Sequence, residues 1–173
     1  MSLDAPTKRK LADLAGVLGR WLLGGLFIYM GLNKALHPVD FLKLVRQYEL
    51  VAHPYLLNSI AAALPWFEVF CGLLLVAGVA VRGAALMLAL MLVPFSLVVL
   101  DRALGIAATQ GIPFCSVKFD CGCGTGEVLI CRKLVENTLL LLLALWLLCG
   151  VGTRFALRFR LQNPRGGPNR GAP

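Results

Sequence analysis

The chain has 173 residues, of which 58% are hydrophobic and 15% charged, with a mean hydropathy of +0.78. An ordinary soluble domain carries about 45–50% apolar residues, so this composition excludes one and points to a small integral membrane bundle rather than several domains. The net charge of +8 comes from 17 Lys and Arg against 9 Asp and Glu, clustered outside the apolar runs. No basic stretch is interleaved with aromatic platforms, which argues against nucleic acid as the partner and for anionic lipid.

In chain order, residues 1–10 form a basic segment with Lys8, Arg9 and Lys10. The first apolar run is Leu11–Leu36. It is too long for the apolar region of a signal peptide, about 7–15 residues, and lacks a small-residue cleavage site, so it is read as a transmembrane helix. Further runs follow at Leu56–Val81, Gly83–Leu100 and Val135–Val151, the last with a helical start expected nearer Glu127. Each approaches the roughly 20 residues that a bilayer core requires. The expected fold is all-α: a four-transmembrane-helix bundle over residues 11–153, with a Cys-rich extracytoplasmic loop between helices 3 and 4. Pro65 and Pro94 are expected to kink their spans. Residues 154–173 are basic, then rich in Gly and Pro, and are expected to form a disordered tail.

Four spans put both termini on one side. That side carries nine Lys and Arg, the other seven, and the cations concentrate at the two chain ends. The positive-inside rule therefore places both termini in the cytoplasm and the chain in a bacterial inner membrane. Cys115, Cys121, Cys123 and Cys131 then face the compartment where disulfides persist. Cys71 and Cys149 fall within spans and are read as small core residues.

The outer cysteines are spaced C-x5-C-x-C-x7-C. This fits neither a zinc ribbon nor a C-x-x-C pair. A disulfide across Cys121-Gly122-Cys123 closes a very small ring that is hard to form without strain, and strained disulfides exchange readily. Gly122 and Gly124 give a partner access, and Lys118, Arg132 and Lys133 favour thiolate. Redox exchange at Cys121 and Cys123 is the favoured reading. Two static disulfides stapling the loop and metal binding by thiolates remain as alternatives. Cys115 and Cys131 are candidates for an auxiliary or structural disulfide.

Polar residues within spans are costly and often functional. Arg20 lies about 16 residues from the outer end of its span and Glu68 about 12, a depth difference of about 6 Å. Arg20 and Glu68 are expected to pair or share a network, with Lys34 and Asp101 pairing at the level of the cysteine loop. Phe27, Tyr29, Trp66, Phe67 and Phe95 are read first as packing, with a quinone pocket as the alternative. His37 and His53 each precede Pro and are assigned to turns.

The stretch RWLLGGLFIYMGLNKAL carries an R-x3-G-x2-F-x3-G-x2-K theme at Arg20, Gly24, Phe27, Gly31 and Lys34. It resembles the first helix of DoxX-like membrane proteins. PWFEVFCGLLLVAGVAVRGAAL is similar to the second and third helices of that family. CGCG followed by CRKLVENTLLLLLALWLL resembles the MauE branch, in which a C-G-C-F-G loop precedes the final helix and its Arg-Asn pair. Here Gly124-Thr125 replace the Phe and Gly, and Asn137 follows Glu136. The resemblance implies a four-helix bundle, loosely similar to vitamin K epoxide reductase enzymes, that works with a periplasmic thioredoxin-like protein in maturing disulfide-rich methylamine dehydrogenase. The reading that results is a membrane thiol-disulfide redox protein acting through Cys121 and Cys123 on a thioredoxin-like partner or a client. Electron exchange with the membrane pool would make quinone the cofactor. Arg20, Glu68, Lys34, Asp101 and Asn137 form the expected intramembrane network. A non-enzymatic assembly scaffold with a stapled loop is the second reading.

Overall fold

The computed structural model describes residues 5–47, 53–120 and 126–149. Five α-helices and one small hairpin make up the described chain: α1 (Ala5–Leu36), α2 (Pro38–Gln47), α3 (Pro54–Ala77), α4 (Val81–Gln110), β1 (Lys118–Asp120), β2 (Glu127–Leu129) and α5 (Ile130–Leu148). A single 3-10 turn, Phe114–Ser116, precedes β1.

Among the described residues, three helices are long and apolar enough to cross a membrane: Lys10–Leu36, Tyr55–Ala77 and Val81–Gln110. The protein is a multi-pass membrane protein. The fourth expected span does not meet the same standard within the described residues, because Arg132, Lys133 and Glu136 crowd the first turns of α5. The tail from residue 154 onward lies outside the described residues.

The four long helices form two antiparallel pairs. In the first, α1 lies along α3 with backbones in close contact. A Cβ placed on Gly24 would stand 2.7 Å from the Gly72 carbonyl oxygen, and one on Gly31 would stand 2.7 Å from that of Pro65. Close approach through small residues is how membrane helices gain packing without a hydrophobic drive. The R-x3-G-x2-F-x3-G-x2-K stripe is this face: Arg20, Phe27 and Lys34 are buried and alternate along it with the two glycine contacts. In the second pair, α5 returns along α4. Ile130 at its start packs with Val99 and Ala103, and the carbonyl of Cys149 at its end accepts a 3.4 Å bond from Arg82 Nη2. A tight turn links the pairs. Gly78 caps α3 at φ 74°, where glycine is favoured, and Ala80 is held at φ 46°.

Several expected boundaries move. α4 runs ten residues past Leu100 because DRALGIAATQ continues the helix, burying Ala103 and half-burying Ile106 and Ala107. It stops at Gly111, φ 63°, two residues before Pro113. Asp101-Arg102 therefore does not end the span. Residues 127–129 form a strand, and α5 begins at Ile130 rather than near Glu127. Both α3 and α4 continue through their prolines. The apolar interior is a large cluster centred on Leu23, Leu75, Ala85 and Leu88, with a smaller one of Val99, Ala103, Val117 and Ile130 beneath the hairpin.

Candidate functional site at the cysteine hairpin

The segment between α4 and α5 folds back on itself. β1 and β2 pair antiparallel, Lys118 with Leu129, Phe119 with Val128 and Asp120 with Glu127. One face is anchored: Val117 and Ile130 are fully buried, the Ile130 amide donates to the Val117 carbonyl at 3.1 Å, and Arg102 stacks 5.7 Å from the Phe119 ring. Cys115 and Cys131 are joined by a disulfide with Cα atoms 5.1 Å apart. This bond brackets the hairpin at its base. Residues 121–125 lie outside the described residues, and Cys121 and Cys123 are among them. Asp120 and Gly126 are the last described positions on either side.

A cleft of about 300 Å³ opens beside those two positions. Asn33, Lys34 and His37 from the end of α1, and Asp40, Phe41 and Leu44 from α2, form its other walls. α2 is an amphipathic helix with Phe41 turned inward. At the cleft wall the Lys34 ammonium donates to both Glu68 carboxylate oxygens, at 2.6 and 2.8 Å, with both side chains buried. Phe41 and Phe95 flank the ammonium at 5.5 and 6.0 Å from their ring centres. Such placement combines ion pairing with cation–π attraction in a low-dielectric setting.

Glu68 therefore pairs with Lys34 and not with Arg20. The glycine contacts explain why. The Glu68 Cβ sits 3.1 Å from the position of a Cβ on Gly31. Gly31 is three residues from Lys34 but eleven from Arg20, about 16 Å along the axis. Helical side chains also lean toward their own N-terminus. In antiparallel helices this brings Lys34 and Glu68 toward each other and carries Arg20 away from Glu68. The expected pairing of Lys34 with Asp101 is not formed either: Glu68 engages the buried ammonium through both oxygens, and Asp101 is exposed on α4. Arg20 is 3% exposed, and its Nε and Nη1 have no hydrogen-bond partner among the described residues.

Asn137 is buried, and its amide donates to Ser96 Oγ at 3.2 Å, tying α5 to α4. Lys133 lies one turn before it, 4% exposed, with Glu136 at 3.7 Å. Sequence reasoning placed Lys133 near the loop, not in the interior. Its spacing with Ile130, Asn137, Ala144 and Leu147 marks the buried face and could have found it. Arg132 is largely exposed and pairs with Glu136 at 3.0 Å, and Lys118 is exposed. Of the aromatics considered for a quinone pocket, Phe27 is buried and Phe95 half-buried, whereas Tyr29, Trp66 and Phe67 face outward. Cys71 is buried and Cys149 is exposed. His37 lines the cleft, and His53 stands at the N-terminus of α3 beside Tyr55.

This arrangement offers an ammonium, an imidazole and two carboxylates around a cleft next to the strand ends that flank a cysteine pair. The family model described as methylamine utilisation protein MauE matches residues 12–150. Comparison with curated proteins found no match, and neither did comparison with solved structures.

Proposed function

The chain belongs to the MauE family of methylamine utilisation proteins, and from that premise we propose that it is an inner-membrane thiol-disulfide redox protein. It has four spans and both termini in the cytoplasm. The membrane domain takes residues 11–153, and the hairpin faces the periplasm. Support for the fourth span comes from α5, which follows α4 from the level of Val99 to that of Arg82.

Cys121 and Cys123 carry the exchange with a thioredoxin-like partner or a disulfide-containing client. A partner thiolate attacks one sulfur of the Cys121–Cys123 disulfide, and the other sulfur leaves as thiolate and takes a proton. A second partner thiolate then resolves the mixed disulfide. The partner is oxidised to a disulfide, and the pair is reduced to two thiols. The reverse exchange runs through the same steps. Lys34, with Glu68 behind it, stands on the cleft wall to stabilise the leaving thiolate, and Asn137 fixes α5 beneath the loop. Quinone is the candidate for regenerating the pair, and maturation of methylamine dehydrogenase is the process the family name suggests.

The observation that carries this reading is the Cys115–Cys131 disulfide. It engages the two flanking cysteines with each other, and with Cys71 buried in the bundle and Cys149 beside Arg82 at its other end, Cys121 and Cys123 are left to pair together or with an external sulfur. The test is labelling of intact cells with a membrane-impermeant thiol reagent across graded reductant, with each cysteine read by mass spectrometry. Cys121 and Cys123 should open at a much milder potential than Cys115 and Cys131. If all four resist together, the same bond favours the second reading, an assembly scaffold with a stapled loop. If none is labelled from outside, the orientation is wrong.

A further inference from the structure

Arg20 has no part in the reading above. We propose that it anchors a site for the phosphate group of an acidic phospholipid, entered from the end of the bundle opposite the hairpin.

Arginine stays charged even when buried. At 3% exposure, with Nε and Nη1 lacking an acceptor among the described residues, Arg20 is a charge in the interior that none of them compensates. Such a charge is too costly to be retained as packing alone. The buried core around this level is apolar and small: Leu23, Leu75, Ala84, Ala85, Ala144 and Leu147. Glu68 is engaged by Lys34 about three turns away. Asp13, two turns below on the same helix, makes no bond to either nitrogen. No described residue supplies the acceptor, and we place it on a group from outside the chain.

Three features indicate its chemistry. The first is direction: the Arg20 side chain leans toward the N-terminus of α1, the end that carries Lys10 and Arg82. The second is the N-terminus of α4 at that end. α4 has 30 residues, begins at the buried Val81 and has no side-chain cap on its first amides, so its dipole adds to the positive field. The third is position: next to Arg20, α1 meets α5 at Gly19, where a Cβ would stand 3.0 Å from Trp146 and 3.2 Å from Leu143, so the guanidinium lies by the seam between the two helix pairs. A guanidinium fork matches a phosphate bidentately. The leaflet next to a basic helix end is where acidic lipid gathers. A zwitterionic headgroup brings its own cation into the same field and is disfavoured.

The experiment uses the full chain, delipidated in neutral detergent. Its melting temperature is read with added phosphatidylglycerol, phosphatidylcholine or inorganic phosphate, and lipid retained after purification is counted by native mass spectrometry. Phosphatidylglycerol should raise Tm by several degrees, and the other two should leave it unmoved. Arg20→Met should lose that shift and the retained lipid, whereas Lys10→Gln and Arg82→Gln keep most of both. An equal response to phosphatidylcholine, or loss of the shift in the surface variants to the same extent as in Arg20→Met, overturns the proposal in favour of general lipid or surface-charge effects. A full response to inorganic phosphate overturns the lipid source. If Arg20→Met does not fold, lipid counting on the unaltered chain decides: absence of retained phosphatidylglycerol rejects the site. None of these outcomes depends on the cysteines, so failure here leaves the redox reading standing, and the reverse also holds.

Discussion

Lys34 and Glu68 meet because their helices are antiparallel and their side chains lean toward each other. Each charge is tolerable in the interior only through the other. Replacing one partner, as in Lys34→Met or Glu68→Leu, should destabilise the protein by about 3–5 kcal/mol, since a bare buried charge remains. The double replacement should recover most of that loss. A double-mutant cycle from denaturant unfolding in micelles measures the coupling, and silent single variants would show that the pair carries no such weight. The sequence theme already contained this pairing. Lys34 shares a face with Gly24 and Gly31, so it had to point at α3. Counting depth from the ends of apolar runs favoured Arg20 because run ends do not fix register, whereas a backbone contact does.

At the scale of elements, the apolar runs located α1, α3 and most of α4, since twenty or so apolar residues have few other uses. Shorter elements were not legible. KFD and EVL are too brief to show alternation, and PVDFLKLVRQ lies between two spans where a loop was expected. Its apolar positions fall on one helical face, which a window tuned to membrane spans averages away. The last turns of α4 were missed because their residues bury only one face, beneath the hairpin. The glycine seam yields a contrast among residues that look alike in sequence. Gly31→Ala and Gly72→Ala should each cost about 1–3 kcal/mol, because the new methyl meets a backbone oxygen that cannot turn aside. Gly25→Ala, with nothing within 4 Å, should change stability by less than about 0.5 kcal/mol. Thermal unfolding of the three variants in one detergent checks the ordering, and equal costs would reject the seam.

At the scale of the whole molecule, the chain is two helical hairpins laid side by side. In the first, α1 and α3 are bridged by α2. In the second, α4 and α5 are bridged by the disulfide-braced strands. The glycine-to-backbone contacts lie within the first hairpin, and the only disulfide among the described residues within the second. The turn at Gly78–Ala80 is the single covalent tie between them. The peptide bond there supplies local concentration but no unique contact. A gene divided at that turn, encoding residues 1–79 and 80–173 as separate polypeptides, should therefore yield two fragments that insert independently and copurify. The cleft wall of the first fragment would then meet the cysteine hairpin of the second by recognition alone. A division at Gly25, through the seam, should yield fragments that do not reassemble. The protein is in this sense a heterodimer written as one chain.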